Sequence, residues 1–121
     1  MDSIRLSGVR ADGRHGALPE ERERPQPFEI DVVAQLDLRE AAASDDLAQT
    51  MDYAALQKRL VRVVETTSFA LLERLAAALL DEVFEDRRVA HAEVTIGKPG
   101  ILAGATPSVT LERPNPNYAS P

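Results

Sequence analysis

The residues able to do chemistry in this sequence are few, and no single spacing among them dictates a reaction. Lys98 stands between Gly97 and Pro99, at the end of a strand-like run. Proline there stops regular pairing and glycine leaves room beside the backbone, so the ammonium is either a surface charge or a group offered to a ligand. Glu73 lies one residue from Leu72 and two from Leu75, on the flank of an apolar stripe near a helix start. The helix dipole alone favours a carboxylate at that position, and the same position suits one that grips an amidine-like group through paired hydrogen bonds. Glu20, Glu21 and Glu23 crowd one loop, which reads as an exposed acidic stretch. Tyr53 opens a helix on its apolar side, where pattern alone makes it a core tyrosine. His15 sits in Gly13-Arg14-His15-Gly16, where either glycine permits a sharp turn, and His91 alternates with core positions and is expected to face solvent. Two histidines without HExxH or CxxC spacing do not build a zinc site.

The elements that must position these groups are clearer. Ile4 and Leu6 alternate with polar neighbours, and Gly8 before Val9 shifts the parity, which predicts a strand with a bulge. A polar loop with two glycines and two prolines runs from Asp12 to Gln26. Phe28, Ile30, Val32, Ala34, Leu36 and Leu38 then take every even position, so a long strand with one buried face follows. After an Ala-rich stretch, Ser44-Asp45-Asp46 marks a turn. Asp52 can cap a helix whose stripe is Tyr53, Leu56, Leu60, Val63 and Val64, and a second helix is expected from about Ser68 to Asp86. Ala90, Ala92, Val94 and Ile96 form a third alternating strand, and Val109 and Leu111 a fourth. The order is ββααββ, an α+β fold in which two helices cover one face of an antiparallel sheet. Its two open edges must be blunted or paired with another subunit.

Composition bounds the rest. A chain of 121 residues holds one domain, expected over 1–113, with 114–121 as a frayed tail. A net charge of −6, with arginines interleaved among acids, weighs against a nucleic-acid partner. The absence of cysteine removes disulfides and thiolate chemistry. No apolar run approaches the ~20 residues that span a bilayer, and Met1-Asp2-Ser3 does not open a secretory signal, so a cytoplasmic location without membrane contact is expected.

Taken in order, the runs Gly13-Arg14-His15-Gly16-Ala17-Leu18-Pro19-Glu20-Glu21, Gln26-Pro27-Phe28, Ser44-Asp45-Asp46-Leu47, Thr50-Met51-Asp52-Tyr53, Leu71-Leu72-Glu73-Arg74-Leu75-Ala76 and Val94-Thr95-Ile96-Gly97-Lys98-Pro99 resemble the dihydroneopterin aldolase family. The resemblance covers roughly residues 3 to 113 and implies the tunnelling fold, in which four subunits close a β-barrel ring and two rings stack into an octamer. It also implies active sites between neighbouring subunits and a small pterin as substrate. In those terms Glu73 holds the amino-pyrimidinone edge of the pterin, backbone groups near Leu72 and Met51-Asp52 satisfy the remaining ring atoms, and Leu18 lines the same site. Glu21 lies by the substrate's hydroxylated side chain, Lys98 near the reacting end, and Tyr53 is the general acid–base. The implied reaction is retro-aldol cleavage of 7,8-dihydroneopterin without metal, Schiff base or other cofactor, because the ring's own N5=C6 imine accepts the electrons. Epimerisation at C2′ accompanies it in the family.

Two departures stand out. Pro25 occupies a position where the family commonly has glycine, and the loop after Lys98 is shorter and lacks the usual Pro-Ile-Pro stretch. Two other readings remain open. One is a dihydroneopterin triphosphate 2′-epimerase, for which Arg14, Arg22 and Arg24 would supply the basic patch; the other is a non-catalytic pterin- or purine-binding ring, which gives Lys98 and Tyr53 no task. Oxygenase chemistry is disfavoured, since Tyr53 stands where a phenylalanine would suit that outcome.

Overall fold

In the computed structural model, which describes residues 1–119, the elements follow as β1 (Asp2–Gly13), β2 (Gln26–Leu36), α1 (Arg39–Ser44), α2 (Tyr53–Thr66), α3 (Leu72–Val83), β3 (His91–Gly97) and β4 (Ser108–Pro114). The strands pair in the order β1-β2-β3-β4, each antiparallel to the next. This is the expected α+β arrangement.

The even positions of β2 supply its centre: Phe28, Ile30, Val32, Ala34 and Leu36 are all buried. Ala92, Val94 and Ile96 of β3 join them, under Leu56, Leu60 and Val64 of α2 and Leu75, Ala76, Leu79 and Val83 of α3. Each large aliphatic side chain taken from water there contributes roughly 1.5–3 kcal/mol. In β1 the pairing slips between Leu6 and Val9. Gly8 adopts a φ of 70° at that point, and its N–H donates to Asp31 Oδ1 at 2.7 Å. The bulge changes the parity, so Ile4 and Leu6 before it and Val9 and Ala11 after it all face the helices.

Three local expectations differ from the structure. The Ala-rich stretch is a helix, α1, ended by Asp45 in the left-handed region at φ 57°. The long second helix begins at Leu72 rather than Ser68 and stops at Val83 rather than Asp86. Chain around Phe69 makes backbone links across to Gly16 instead of helical ones. Past Pro114 the chain is tied down: Asn115 is buried and its Nδ2 donates to the carbonyls of Val89 at 2.8 Å and Asp86 at 3.2 Å. Ala119 N–H reaches Arg87 O. The last two residues of the expected tail, 120 and 121, lie outside the described residues. Among the described residues no helix is long and apolar enough to cross a membrane.

Candidate active site

The register gives the sheet two ends. Gly13, Gln26, Gly97 and Ser108 mark one; Asp2, Leu36, His91 and Pro114 mark the other. Because α3 leads through a turn into β3, which packs against it, α3 starts at the Gly97 end. Helix α2 runs the opposite way. It finishes beside Gly13, where a Cβ would sit 2.5 Å from Val64 O.

At the Gly97 end, Lys98 Nζ donates to Glu21 Oε2 at 2.9 Å, with the two side chains 12% and 21% exposed. Glu21 belongs to a 3₁₀ turn over Pro19–Arg22, and its other oxygen, Oε1, accepts from Leu18 N–H at 3.3 Å. The acidic loop is therefore more than an exposed stretch: one of its carboxylates is half-buried and paired. The hydrogen bond from Lys98 is the main cause that lowers the Glu21 pKa, with partial burial opposing it. Gly16 makes room for this carboxylate, since a Cβ on it would overlap Glu21 Cβ and Cδ. Leu18 itself is 55% exposed.

Leu72 and Glu73 open α3 at this same end. Glu73 lies in the first turn and is exposed, and no side chain caps the helix, whose preceding residue is Leu71. The first N–H groups of the helix thus have no side-chain acceptor and, with the carboxylate, offer both donor and acceptor to a planar polar edge. Arg74 in that turn lies with its guanidinium carbon 4.6 Å from the Phe69 ring centroid.

Met51, Asp52 and Tyr53 lie elsewhere. Asp52 caps α2 by accepting from Ala55 N–H at 3.0 Å. From Tyr53 to Val64 the helix climbs about 16 Å, away from the Leu36–His91 end. Arg88, in the turn between α3 and β3, independently fixes this location: its guanidinium donates to Ala48 O, and to Thr50 O at 3.2 Å. Met51 is buried, but Tyr53 is 57% exposed rather than a core residue. The apolar stripe starts one turn later, at Leu56. A cleft of about 680 Å³ adjoins Thr50, Met51, Asp52 and Arg59 at this end. A smaller one of about 400 Å³ adjoins Glu20, Glu21, Arg24, Pro25 and Gln26 at the other. One chain therefore brings Leu18, Glu21, Leu72, Glu73 and Lys98 to one end of the sheet and leaves Met51, Asp52 and Tyr53 at the opposite end.

The two histidines part ways. His91 is half-buried on the sheet's outer face, 3.4 Å from Glu112 Oε1. His15 is fully buried, with Nε2 2.8 Å from Val64 O and Nδ1 accepting from Phe69 N–H at 3.0 Å. Sequence spacing had no means of showing that link, because its partners lie about fifty residues away.

Fold and residue placement define a small α+β protein with candidate polar clusters at opposite ends of one sheet. The family model for dihydroneopterin aldolase (FolB) matches residues 4–113. A dihydroneopterin aldolase of Streptomyces coelicolor is 41% identical over 99 residues, covering 82% of this chain and 83% of that one. One of Streptococcus pyogenes serotype M1 is 38% identical over 86 residues, 71% of this chain and 72% of its own length. The crystal structure of E. coli dihydroneopterin aldolase in complex with neopterin superimposes with a TM-score of 0.88 at 29% identity, over 93% of this chain and 99% of that one. This chain belongs to the dihydroneopterin aldolase family.

Proposed function

We propose that the protein is a dihydroneopterin aldolase, cleaving 7,8-dihydroneopterin into 6-hydroxymethyl-7,8-dihydropterin and glycolaldehyde. The observation that carries this reading is the half-buried Lys98–Glu21 pair at the same end of the sheet as the uncapped first turn of α3 with Glu73. Glu73 takes the amino-pyrimidinone edge of the pterin, and an analogue lacking those donors leaves it unpaired. The 2′-hydroxyl gives up its proton, C1′–C2′ breaks, and the electron pair passes into the ring through C6 to N5. Lys98, oriented by Glu21, supports the charge that develops at N5, and a proton returned to C1′ completes the product.

The residue assigned to that proton transfer, Tyr53, lies at the far end of its own subunit. Closure of four subunits through their open β1 and β4 edges brings the Tyr53 end of one copy against the Lys98 end of the next, with Met51 and Asp52 completing the pterin site. Two such rings give the octamer. Arg22 weakens the triphosphate-epimerase reading, because its Nη1 is spent on the carbonyls of Gly16 at 2.7 Å and Ala17 at 3.2 Å.

The test is purified protein with 7,8-dihydroneopterin, and separately with its triphosphate, monitored for free glycolaldehyde and for C2′ inversion. Aldehyde release from the unphosphorylated substrate is expected. Inversion of the triphosphate alone would transfer the assignment to the epimerase, and no reaction with either would leave a binding protein.

A further inference from the structure

The two walls of the Lys98-end half-site come from distant parts of the chain, and one buried side chain joins them. Leu18 and Glu21 follow His15 by a few residues; Leu72 and Glu73 follow Phe69 by a few. Between these segments His15 Nδ1 accepts from Phe69 N–H, and Gly16 N–H donates to Phe69 O at 2.9 Å. Ser68 Oγ donates to Arg14 O at 2.8 Å, and Gln26 Nε2 to His15 O at 2.8 Å. Since Nδ1 accepts, the ring must be neutral with its proton on Nε2, which donates to Val64 O. The imidazole is wedged edge-on to Phe28, with centroids 5.3 Å apart, and against Phe69 at 5.8 Å.

We propose that His15 is a positioning residue of the aldolase site, a neutral clamp that holds the Glu21–Lys98 wall in register with the Glu73 wall without touching substrate. The inference rests on the aldolase reading above. A second proton on the ring would turn Nδ1 from acceptor to donor and set it against the Phe69 N–H. The charged groups around it do little to welcome that proton. Lys98 opposes it, Glu21 is already paired to Lys98, Arg74 lies across the Phe69 ring, and Arg14 is exposed on the neighbouring turn. Burial is the chief cause that lowers the His15 pKa, outweighing the hydrogen bond to Val64 O, which raises it, and Lys98 adds to the lowering. The clamp therefore stays closed at neutral pH and opens only on the acid side.

The experiment compares the assembled wild-type protein with His15→Asn, His15→Gln and His15→Ala. Asparagine can keep an acceptor for Phe69 N–H, glutamine can keep a donor for Val64 O, and alanine keeps neither. At neutral pH His15→Ala should lose about tenfold or more in kcat/KM, the order expected when reacting groups shift by a fraction of an ångström, and His15→Asn should recover part of it. An acid limb of the wild-type profile that coincides with imidazole titration seen by NMR should vanish in His15→Asn. Full activity in His15→Ala, or an unchanged acid limb in His15→Asn, overturns the proposal. Amide exchange at Phe69 and Gly16 gives a readout independent of catalysis. Protection should fall in His15→Ala and in acidified wild type, and unchanged protection rejects the clamp. A wild-type protein that fails to cleave dihydroneopterin but shows this protection pattern rejects the aldolase reading and retains the clamp.

Discussion

At the scale of single residues, the proposed function gives the Lys98–Glu21 pair and Glu73 separable tasks. Lys98→Ala should lower turnover by about 100-fold or more, the usual order for an acid–base group, while pterin binding falls much less. Glu73→Ala should do the reverse and abolish binding. Fluorescence titration with neopterin beside steady-state kinetics separates the two, and equal losses in both variants would contradict the division. The pair also has a pH signature. The Glu21 carboxyl is held below its ordinary value of 4.5, chiefly by the hydrogen bond from Lys98. As pH falls the unfolded chain binds that proton first, so the stabilisation, full above about 4.5, is lost as pH drops through the folded pKa. In Lys98→Ala the Glu21 titration should move upward, as followed by carboxyl NMR shifts. An unmoved titration would mean that the ammonium is not its cause.

At the scale of elements, the site depends on turns that admit close approach. Gly16→Ala places a methyl group on Glu21. It should pull Glu21 away from Lys98 and lower kcat, while neopterin affinity through Glu73 stays within a few fold. Overpacking of this kind costs about 1–3 kcal/mol, readable in urea unfolding; a variant with wild-type kcat would show that the pair tolerates displacement. The same turns explain what the sequence could reveal. The alternation from Phe28 to Leu36 was legible because one face of β2 meets the helices and the other does not, and the bulge at Gly8 announced itself through the parity shift before Val9. Helix α1 was missed because six residues give no period to read. Tyr53 misled because it extends the Leu56–Leu60–Val64 stripe in pattern but sits on the first turn of α2, exposed, one turn before the buried stripe begins. Position marked Lys98 beside Gly97 and Pro99 and Glu73 at a helix start as candidates, but a surface charge fits the same positions, so only the family resemblance gave them roles. His15 escaped for a different reason, since a contact between residues 15, 64 and 69 exists only after folding.

At the scale of the whole molecule, the proposed roles of Tyr53 and Lys98, which lie at opposite ends of the sheet, would make catalysis a property of the assembly. Lys98→Ala and Tyr53→Phe should each be nearly inactive alone. Co-assembled in equal amounts they should regain about a quarter of wild-type activity, since that share of heterologous contacts joins an intact lysine to an intact tyrosine. Absence of recovery in verified mixed oligomers would place both groups in one subunit's site. The order of the strands has a kinetic consequence as well. All three helices are inserted between β2 and β3, which are neighbours in the sheet yet lie nearly half the chain apart. Pairing Gln35 with His91 must close that long loop before any contact across the seam is gained, whereas β3 and β4 meet through a short connection. Trimming a side chain at the seam, as in Val94→Ala, should slow refolding more than an equally destabilising change at Leu6 on the sheet's edge, and chevron plots would show it in the folding arm.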